Sequence, residues 1–261
     1  MKTCVQQIVV TAALAVCGFF YPALAVPLWN VDFNHMPTGV PPVLATAVGG
    51  IVNTNPSTLT ISGSLNSVIV QDSFTAGTAA LTDKPIVWTQ VAQALNDPVG
   101  SSALTFYFVN AADYESPADY FIEFDLLVRA GATSQPLSFR VYNKDGMILR
   151  TYFDKDGDFV IVPSSILYPY TEYASFTAAW NYNEVTRVRV YFNSAVGSFT
   201  FKMNGRNVGT AYIADWSAVP LNNRGVKQII FASWTINASA TLAIDNFSSV
   251  PFPSGTLISF E

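Results

Sequence analysis

The stretch Arg187–Phe192, with the sequence RVRVYF, indicates the fold class of the chain. Its apolar residues Val188, Val190 and Phe192 occupy alternate positions, and alternate residues of a β-strand point to opposite faces of a sheet. One face of this strand is therefore apolar and the other is polar. That pattern is typical of an antiparallel sheet that packs one face against a core and exposes the other to water.

A second stretch, Tyr120–Leu126 (YFIEFDL), repeats the pattern: Ile122 and Phe124 share one predicted face, and Glu123 and Asp125 share the other. No helical period persists over a useful length of the chain. Twelve segments bounded by Gly, Pro, Asn or Asp are predicted as strands: Leu28–Phe33, Ser57–Ser62, Ser67–Val70, Ala103–Val109, Tyr120–Arg129, Leu137–Asn143, Met147–Phe153, Phe159–Val162, Val185–Asn193, Ser198–Met203, Gln228–Ser233 and Ala240–Phe247. The segment Val87–Leu95 is predicted to form one or two helical turns.

Three turn sequences join predicted strands into hairpins. Asn143–Gly146 and Asp154–Gly157 each separate two strands, and Asn204-Gly205 is a strong two-residue turn signal because both positions tolerate positive φ. About a dozen strands without a Pro/Ser-rich linker predict a single all-β domain over residues 26–250. We expect an antiparallel β-sandwich of the jelly-roll type.

The first 25 residues have the pattern of a secretory signal peptide. Lys2 is their only charge, an apolar stretch follows, and the segment ends in Ala23-Leu24-Ala25. The apolar stretch is shorter than the roughly 20 residues that span a membrane. We predict cleavage after Ala25 and a secreted protein, extracellular or periplasmic, with no transmembrane segment after cleavage. A lipoprotein signal with Cys17 as the lipidated residue is the alternative.

Composition excludes several functional classes. The chain has 13 Lys and Arg against 18 Asp and Glu, so it lacks the basic surface of a nucleic-acid-binding protein. Half of its residues are apolar, which excludes a disordered chain. Both cysteines, Cys4 and Cys17, leave with the predicted signal peptide, so neither a disulfide framework nor a cysteine-based zinc site is expected.

The order of four elements resembles that of concanavalin A-like, or laminin G-like, jelly-roll domains: Val31–Asn34 with Pro37–Gly39, Tyr120–Leu126, Arg187–Asn193 with the turn at Asn204-Gly205, and Ala243–Phe247. The resemblance spans nearly all of the predicted mature chain and implies the fold more than the function. In that family the closing strand pairs near the first. The resemblance therefore implies that Asp32 or Asn34 meets Asp245, and it suggests a structural calcium ion held by Asp32 and Asp245 as a cofactor.

Residues 251–261 are predicted as a short C-terminal tail. The stretch Val250–Leu257 is similar to the start of the bacterial Pro-Glu-Pro C-terminal sorting signal. Phe252 stands where that signal has Glu, and no apolar span or basic tail follows. We expect a remnant of the signal at most.

The candidates for catalysis are weak. Glu123 and Asp125 resemble part of the E-x-D-x-(x)-E pattern of laminarinase-type glycosidases, in which carboxylates on alternate strand positions act as nucleophile and general acid. The third acid is absent, so an exposed face of an ordinary strand is the competing interpretation. A lyase would instead use His35 or a tyrosine together with arginines such as Arg140 and Arg150.

A calcium loop is a further hypothesis, because Asp154–Asp158 has acids at alternate positions beside a glycine. Ser165 stands where an EF-hand needs its last Glu, so a hairpin turn solvated by aspartates is the competing interpretation.

Aromatic residues around Phe176 predict a ligand-binding surface made of Tyr168, Tyr170, Trp180 and Tyr182. Sugars stack their C–H faces on aromatic rings while polar side chains bind the hydroxyls. The alternative is that these rings fill the core of the sandwich.

These features predict a secreted, non-catalytic glycan-binding or cell-surface protein, with a polysaccharide or cell-envelope glycan as its partner. A carbohydrate-active hydrolase or lyase on the same fold is the alternative. A structural matrix protein that binds partners through sheet edges is the second alternative. The sequence leaves the ligand and the oligomeric state open.

Overall fold

A computed structural model describes residues 29–31, 33–34, 36–40, 57–62, 68–88, 102–108, 114–115, 117–131, 137–162, 175–233 and 242–253. Within these ranges the chain forms 17 strands. They are β1 Trp29–Val31, β2 Ser57–Ser62, β3 Val68–Val70, β4 Phe74–Ala76, β5 Ala79–Leu81, β6 Ile86–Trp88, β7 Ser102–Phe108, β8 Ala118–Val128, β9 Leu137–Tyr142, β10 Met147–Phe153, β11 Phe159–Ile161, β12 Ser175–Phe176, β13 Val185–Asn193, β14 Ser198–Met203, β15 Arg206–Tyr212, β16 Gln228–Ser233 and β17 Leu242–Pro253. Two single-turn 3₁₀ helices, Trp216–Ala218 and Leu221–Asn223, lie between β15 and β16.

The strands form two large sheets and one small hairpin. Sheet A has eight strands in the order β15-β14-β13-β8-β17-β6-β3, with β1 paired to β17, and sheet B has seven in the order β12-β11-β10-β9-β16-β7-β2. The pairings within both sheets are antiparallel. The predicted all-β antiparallel sandwich is therefore confirmed.

Aromatic rings join the two sheets at the centre of the core. Phe124 of sheet A lies 4.9 Å from Phe231 and 5.6 Å from Phe139 of sheet B, measured between ring centroids. Phe247 of sheet A lies 4.2 Å from Phe106 of sheet B. All five rings are buried, and burying one such ring contributes about 1.5–3 kcal/mol.

A smaller apolar cluster lies on the other face of sheet A. The β4–β5 hairpin covers Val87, Leu127 and Ala243 with Phe74 and Leu81. Strand β6 consequently has apolar neighbours on both faces, and all three of its residues are buried. This explains why a short IVW run lacks the alternation of a half-exposed strand.

The predicted turns are confirmed. Asn143 accepts hydrogen bonds from the backbone N–H groups of Asp145 and Gly146 through its side-chain oxygen. Asn204 and Gly205 have φ of 49° and 79°, as the two central residues of a type I′ hairpin turn require. The turn at Asp154–Gly157 closes through the N–H of Gly157, which donates to the carbonyl of Asp154.

The first and closing strands pair as the family resemblance implied, with Val31 opposite Phe247. A β-bulge interrupts β17 between Asp245 and Ser248, and Asn246 takes a positive φ of 51° there. Strand β17 then continues to Pro253, three residues beyond the predicted domain boundary, and Pro253 pairs with Ala118 of β8.

Five of the strands were not predicted from the sequence: β4, β5, β6, β12 and β15. Four of them have only two or three residues, and β15 (RNVGTAY) has no apolar alternation. The helical prediction for Val87–Leu95 is wrong at Val87 and Trp88, which belong to β6; residues 89–95 lie outside the described ranges.

The predicted signal peptide and residues 254–261 also lie outside the described ranges. Within the described part of the chain, no helix has the length and apolar character needed to cross a bilayer.

Candidate functional site

The acids predicted as weak catalytic candidates lie on the outer face of sheet A and are ion-paired. Strand β13 places Arg187 opposite Asp125 and Arg189 opposite Glu123. Asp125 accepts hydrogen bonds from Nε and Nη2 of Arg187 at 2.8 and 2.9 Å, and from the amide of Asn246 at 2.8 Å. Glu123 accepts one from Nε of Arg189. The hydrogen bond to Asp125 raises the pKa of Arg187 above its ordinary value.

The same face continues with a buried carboxylate. Asp119 is fully buried and accepts hydrogen bonds from the backbone N–H and hydroxyl of Ser194 at 2.7 and 3.0 Å and from the hydroxyl of Tyr191 at 2.9 Å. Burial, with the hydrogen bond to Asp119, raises the pKa of Tyr191. The acids on this face of sheet A connect neighbouring strands through charge-assisted hydrogen bonds. We use the name paired face for Asp119, Glu123, Asp125, Arg187, Arg189 and Tyr191.

The residues expected at a calcium site are only partly described. Asp245 is 2% exposed, and one of its carboxylate oxygens accepts the backbone N–H of Asn246. Asp32 lies outside the described residues. Among those that are described, no three His, Cys, Asp or Glu residues cluster closely enough to hold a metal ion. The Asp32–Asp245 calcium ion stays a prediction.

The Asp154–Asp158 segment forms a hairpin turn. The N–H of Asp154 donates to the carbonyl of Asp158 at 2.8 Å, and Lys155 forms an exposed ion pair with Asp156. The turn also anchors a neighbouring segment, because Asp158 accepts hydrogen bonds from Ala178 and Trp180.

The two arginines considered for a lyase lie directly opposite each other, Arg140 on β9 and Arg150 on β10. Arg150 donates to the hydroxyl of Tyr152, and Arg140 donates to the hydroxyl of Ser138. His35, the other lyase candidate, lies outside the described residues.

Trp180, predicted as part of a stacking surface, is a core residue. It is 3% exposed, its indole N–H donates to the carbonyl of Asp158 at 3.1 Å, and its ring packs edge-on against Phe153 and Tyr182. Trp180 therefore offers no open ring face to a ligand. Tyr182 is half-buried, and burial raises the pKa of its phenol. Tyr168 and Tyr170 lie outside the described residues.

A depression of about 420 Å³ lies beside this segment, between edge strand β12 of sheet B and edge strand β15 of sheet A. We name it the edge depression. Its lining residues are Ser175, Phe176, Thr177, Arg206, Asn207 and Val208.

A glycine allows the two edges to approach each other. A Cβ atom on Gly209 would lie 2.0 Å from Cε1 of Phe176, which is far inside van der Waals contact. Phe176 also packs against Phe159 and Phe201, each with a centroid distance of 6.3 Å. The ring of Phe176 is therefore held over the edge of sheet A, where it forms part of the depression.

The hairpin turn at Asn204-Gly205 sets the other side of the depression. It places Arg206 at the start of β15, and Nη2 of Arg206 donates to the carbonyl oxygen of Ala178. Ala178 has φ of 50°, a left-handed conformation that costs a non-glycine residue about 1–2 kcal/mol. The depression thus combines a fixed ring, two hydroxyls, an amide and a guanidinium.

The segment around Phe176 was predicted from the sequence, but Arg206 and Asn207 were not. The signal that could have found them is the Asn204-Gly205 turn, because the residue after a tight turn begins the return strand.

The chain matches no protein-family model, and no curated protein matches it by sequence. Solved structures do match its fold. A sialidase superposes with a TM-score of 0.53 at 13% identity, over 85% of this chain and 18% of that chain. Botulinum neurotoxin type C, whose cell entry is dependent upon interaction with two ganglioside molecules, superposes with a TM-score of 0.50 at 13% identity, over 86% and 47%.

A carbohydrate esterase, vb_24B_21 from Shiga toxin-encoding bacteriophage phi24B, has a TM-score of 0.51 at 13% identity and covers 88% of this chain and 100% of its own. The chain therefore spans less than a fifth of the sialidase and about half of the neurotoxin chain. At such identities the likeness shows a shared two-sheet sandwich fold.

Proposed function

We propose that this chain is a secreted, non-catalytic glycan-binding domain of the concanavalin A-like or laminin G-like jelly-roll class. The observation that carries the proposal is the edge depression, where the ring of Phe176 lies beside the polar groups of Ser175, Thr177, Arg206 and Asn207. Binding sites for small molecules combine apolar or aromatic lining with a few placed polar groups. A sugar needs both, because its C–H faces are apolar and its hydroxyls need hydrogen bonds.

The solved structures of similar fold support this choice. One is a sialidase, one is a carbohydrate esterase, and the third is a neurotoxin that depends on ganglioside molecules to enter cells. All three descriptions concern carbohydrates. The predicted signal peptide supports a place of action outside the cell, where glycan partners are exposed.

The paired face supports the absence of catalysis. A retaining or inverting glycosidase needs two carboxyl groups that flank a substrate, one of which can give up a proton. Here both oxygens of Asp125 are bound by Arg187, and Glu123 is bound by Arg189. These carboxylates hold strands together instead.

The test is glycan-array binding of the full chain, compared with two asparagine variants. Asn207→Ala removes an amide from the depression, and we expect about a tenfold loss of affinity for the best ligand because an unpaired sugar hydroxyl would remain. Asn222→Ala is the matched control, because Asn222 is also exposed and lies outside the depression. It should bind like the unmodified chain.

Three results would contradict the proposal. The first is that the unmodified chain binds no glycan on the array. The second is that Asn207→Ala binds every glycan as tightly as Asn222→Ala and the unmodified chain do. The third is turnover of a polysaccharide that Glu123→Gln abolishes, which would assign catalysis to the paired face.

A further inference from the structure

The edge depression contains a positive charge, that of Arg206, which forms no ion pair with a carboxylate of the described residues. Arg206 is exposed, and in the described part of the chain the ion pairs do not include it. Among the residues that the structure describes, none that lines the depression is acidic. Arg187 and Arg189 differ in this respect, because each of them is paired with an acid on β8. The charge of Arg206 is therefore available to a bound molecule.

Ala178 holds the guanidinium in place. Its carbonyl oxygen accepts the hydrogen bond from Arg206, and its N–H donates to Oδ1 of Asp158 at 3.2 Å. The peptide groups on both sides of this strained residue are thus anchored. A guanidinium has five N–H donors, so the contact with Ala178 leaves donors for a ligand. Because the group is already positioned, binding through it costs less conformational entropy.

We propose that the edge depression binds a sugar that carries a carboxylate, and that Arg206 selects it. This inference rests on the glycan-binding function proposed above. The planar fork of a guanidinium matches a carboxylate through two parallel hydrogen bonds. Phe176 supplies a ring for the C–H face of the same sugar, and Asn207 supplies an amide for its hydroxyls.

The overall charge of the chain makes this selection local. The formal net charge is −5, so a polyanionic glycan gains no general electrostatic attraction. A preference for acidic over neutral sugars therefore depends on the guanidinium of Arg206 in the depression. Removing it should abolish the preference without abolishing binding of the neutral sugar.

The experiment is isothermal titration of the full chain with two matched pairs of oligosaccharides. One pair is oligogalacturonate and its methyl ester, and the other is sialyllactose and its methyl ester. In at least one pair we expect the acid to bind about tenfold more tightly than its neutral counterpart, which is the effect of one charge-assisted hydrogen-bonded contact. Arg206→Ala should bring the two affinities together, and Arg206→Lys should keep part of the difference because it keeps the charge without the planar fork.

Lys155→Ala is the control for net charge, because it removes one exposed positive charge from the β10–β11 turn, outside the depression. It should keep the full preference for the acid. Thermal melting of each variant checks that it is folded, and Arg206 is exposed, so little loss is expected.

Several results would overturn the inference. Equal affinities of acid and neutral sugar in both pairs would refute it while leaving glycan binding intact. A preference for the acid that survives in Arg206→Ala would place the anion elsewhere. A sulfated galactan could bind more tightly than its neutral counterpart by the same factor, with Arg206→Ala abolishing the difference. The site would then select any anion and not a carboxylate in particular. Absence of binding to every glycan on the array is a different failure, since it removes the proposed function itself.

Discussion

The paired face and the edge depression differ in whether their charged side chains form ion pairs. On the paired face, Arg187 meets Asp125 across two strands, and Tyr191 meets the buried Asp119. In the edge depression, Arg206 contacts a backbone carbonyl and is ion-paired with no carboxylate of the described residues. In the middle of the sheet, strand pairing brings charged side chains into ion pairs, whereas the edge strand leaves the guanidinium of Arg206 available to a ligand. The same contrast can be tested by substitutions in both regions.

The largest effect on stability should come from substitution of Trp180. This substitution distinguishes a residue of the core from a residue that stacks on a ligand. Trp180→Ala should lower the free energy of unfolding by about 3–5 kcal/mol, because it removes a buried ring and leaves a cavity. Urea denaturation measures the change. Leu221→Ala is the control, because Leu221 is 62% exposed and its loss should cost less than about 0.5 kcal/mol. An unchanged stability together with lost glycan binding would restore Trp180 as a ligand-binding residue.

The next effect concerns the strongest pair of the paired face. Arg187→Ala should cost about 1.5–3 kcal/mol, because it takes two hydrogen bonds from the carboxylate of Asp125, which is 6% exposed and keeps the amide of Asn246. Lys155→Ala breaks an ion pair that is exposed on both sides, and no measurable loss is expected there. Equal losses in the two variants would contradict the view that the paired face stabilises the fold.

Gly209 tests how the edge depression is built. Gly209→Ala should cost about 1–3 kcal/mol, because the new Cβ would overlap the ring of Phe176 and force it to move. Ser175→Ala is the control, because Ser175 lines the same depression and the substitution adds no atoms. Gly205→Ala would not serve, since Gly205 has a positive φ that alanine disfavours. Differential scanning calorimetry compares Gly209→Ala with Ser175→Ala. If Gly209→Ala melts like Ser175→Ala, the close contact with Phe176 is not required.

The smallest effect is the pH dependence of Tyr191. Its pKa is raised in the folded state, so folding favours the neutral phenol. Its contribution to stability is therefore complete below the ordinary tyrosine pKa of about 10 and is lost as the pH rises through the folded-state pKa. Tyr191→Phe should lower the free energy of unfolding by about 1 kcal/mol near neutral pH. The difference in free energy of unfolding between this variant and the unmodified chain should become smaller above about pH 10.

Urea denaturation at a series of alkaline pH values measures this narrowing. Tyr212→Phe is the control, because Tyr212 is 51% exposed. A gap between Tyr191→Phe and the unmodified chain that stays constant from neutral to alkaline pH would refute the raised pKa.

Much of the fold could be predicted because alternation is a local property. The segments Val185–Asn193 and Ser198–Met203 have the predicted bounds in the structure, and the type I′ turn at Asn204-Gly205 joins β14 to the next strand as expected. The short strands could not be predicted in this way. Strand β6 lacks alternation because the β4–β5 hairpin covers one of its faces and the core covers the other. Strand β12 has only two residues, which is too short for a pattern.

The candidate site was predictable in part. The aromatic segment predicted from the sequence includes Phe176, which lines the edge depression, but composition could not tell which ring would be buried. Trp180 is buried, and its indole N–H donates a hydrogen bond to the carbonyl of Asp158. Phe176 remained at the edge because Gly209 leaves room for it.

An all-β chain, its main hairpins and the face of β8 that holds Glu123 and Asp125 follow from the sequence alone, since these features depend on the period of two along a strand. The packing of the strands against one another sets the partners of those acids, Arg187 and Arg189, and places Arg206 apart from them at a sheet edge. Cross-strand register joins residues that are 62 and 66 positions apart. No local pattern encodes such a pairing, because it forms only when distant strands pack side by side.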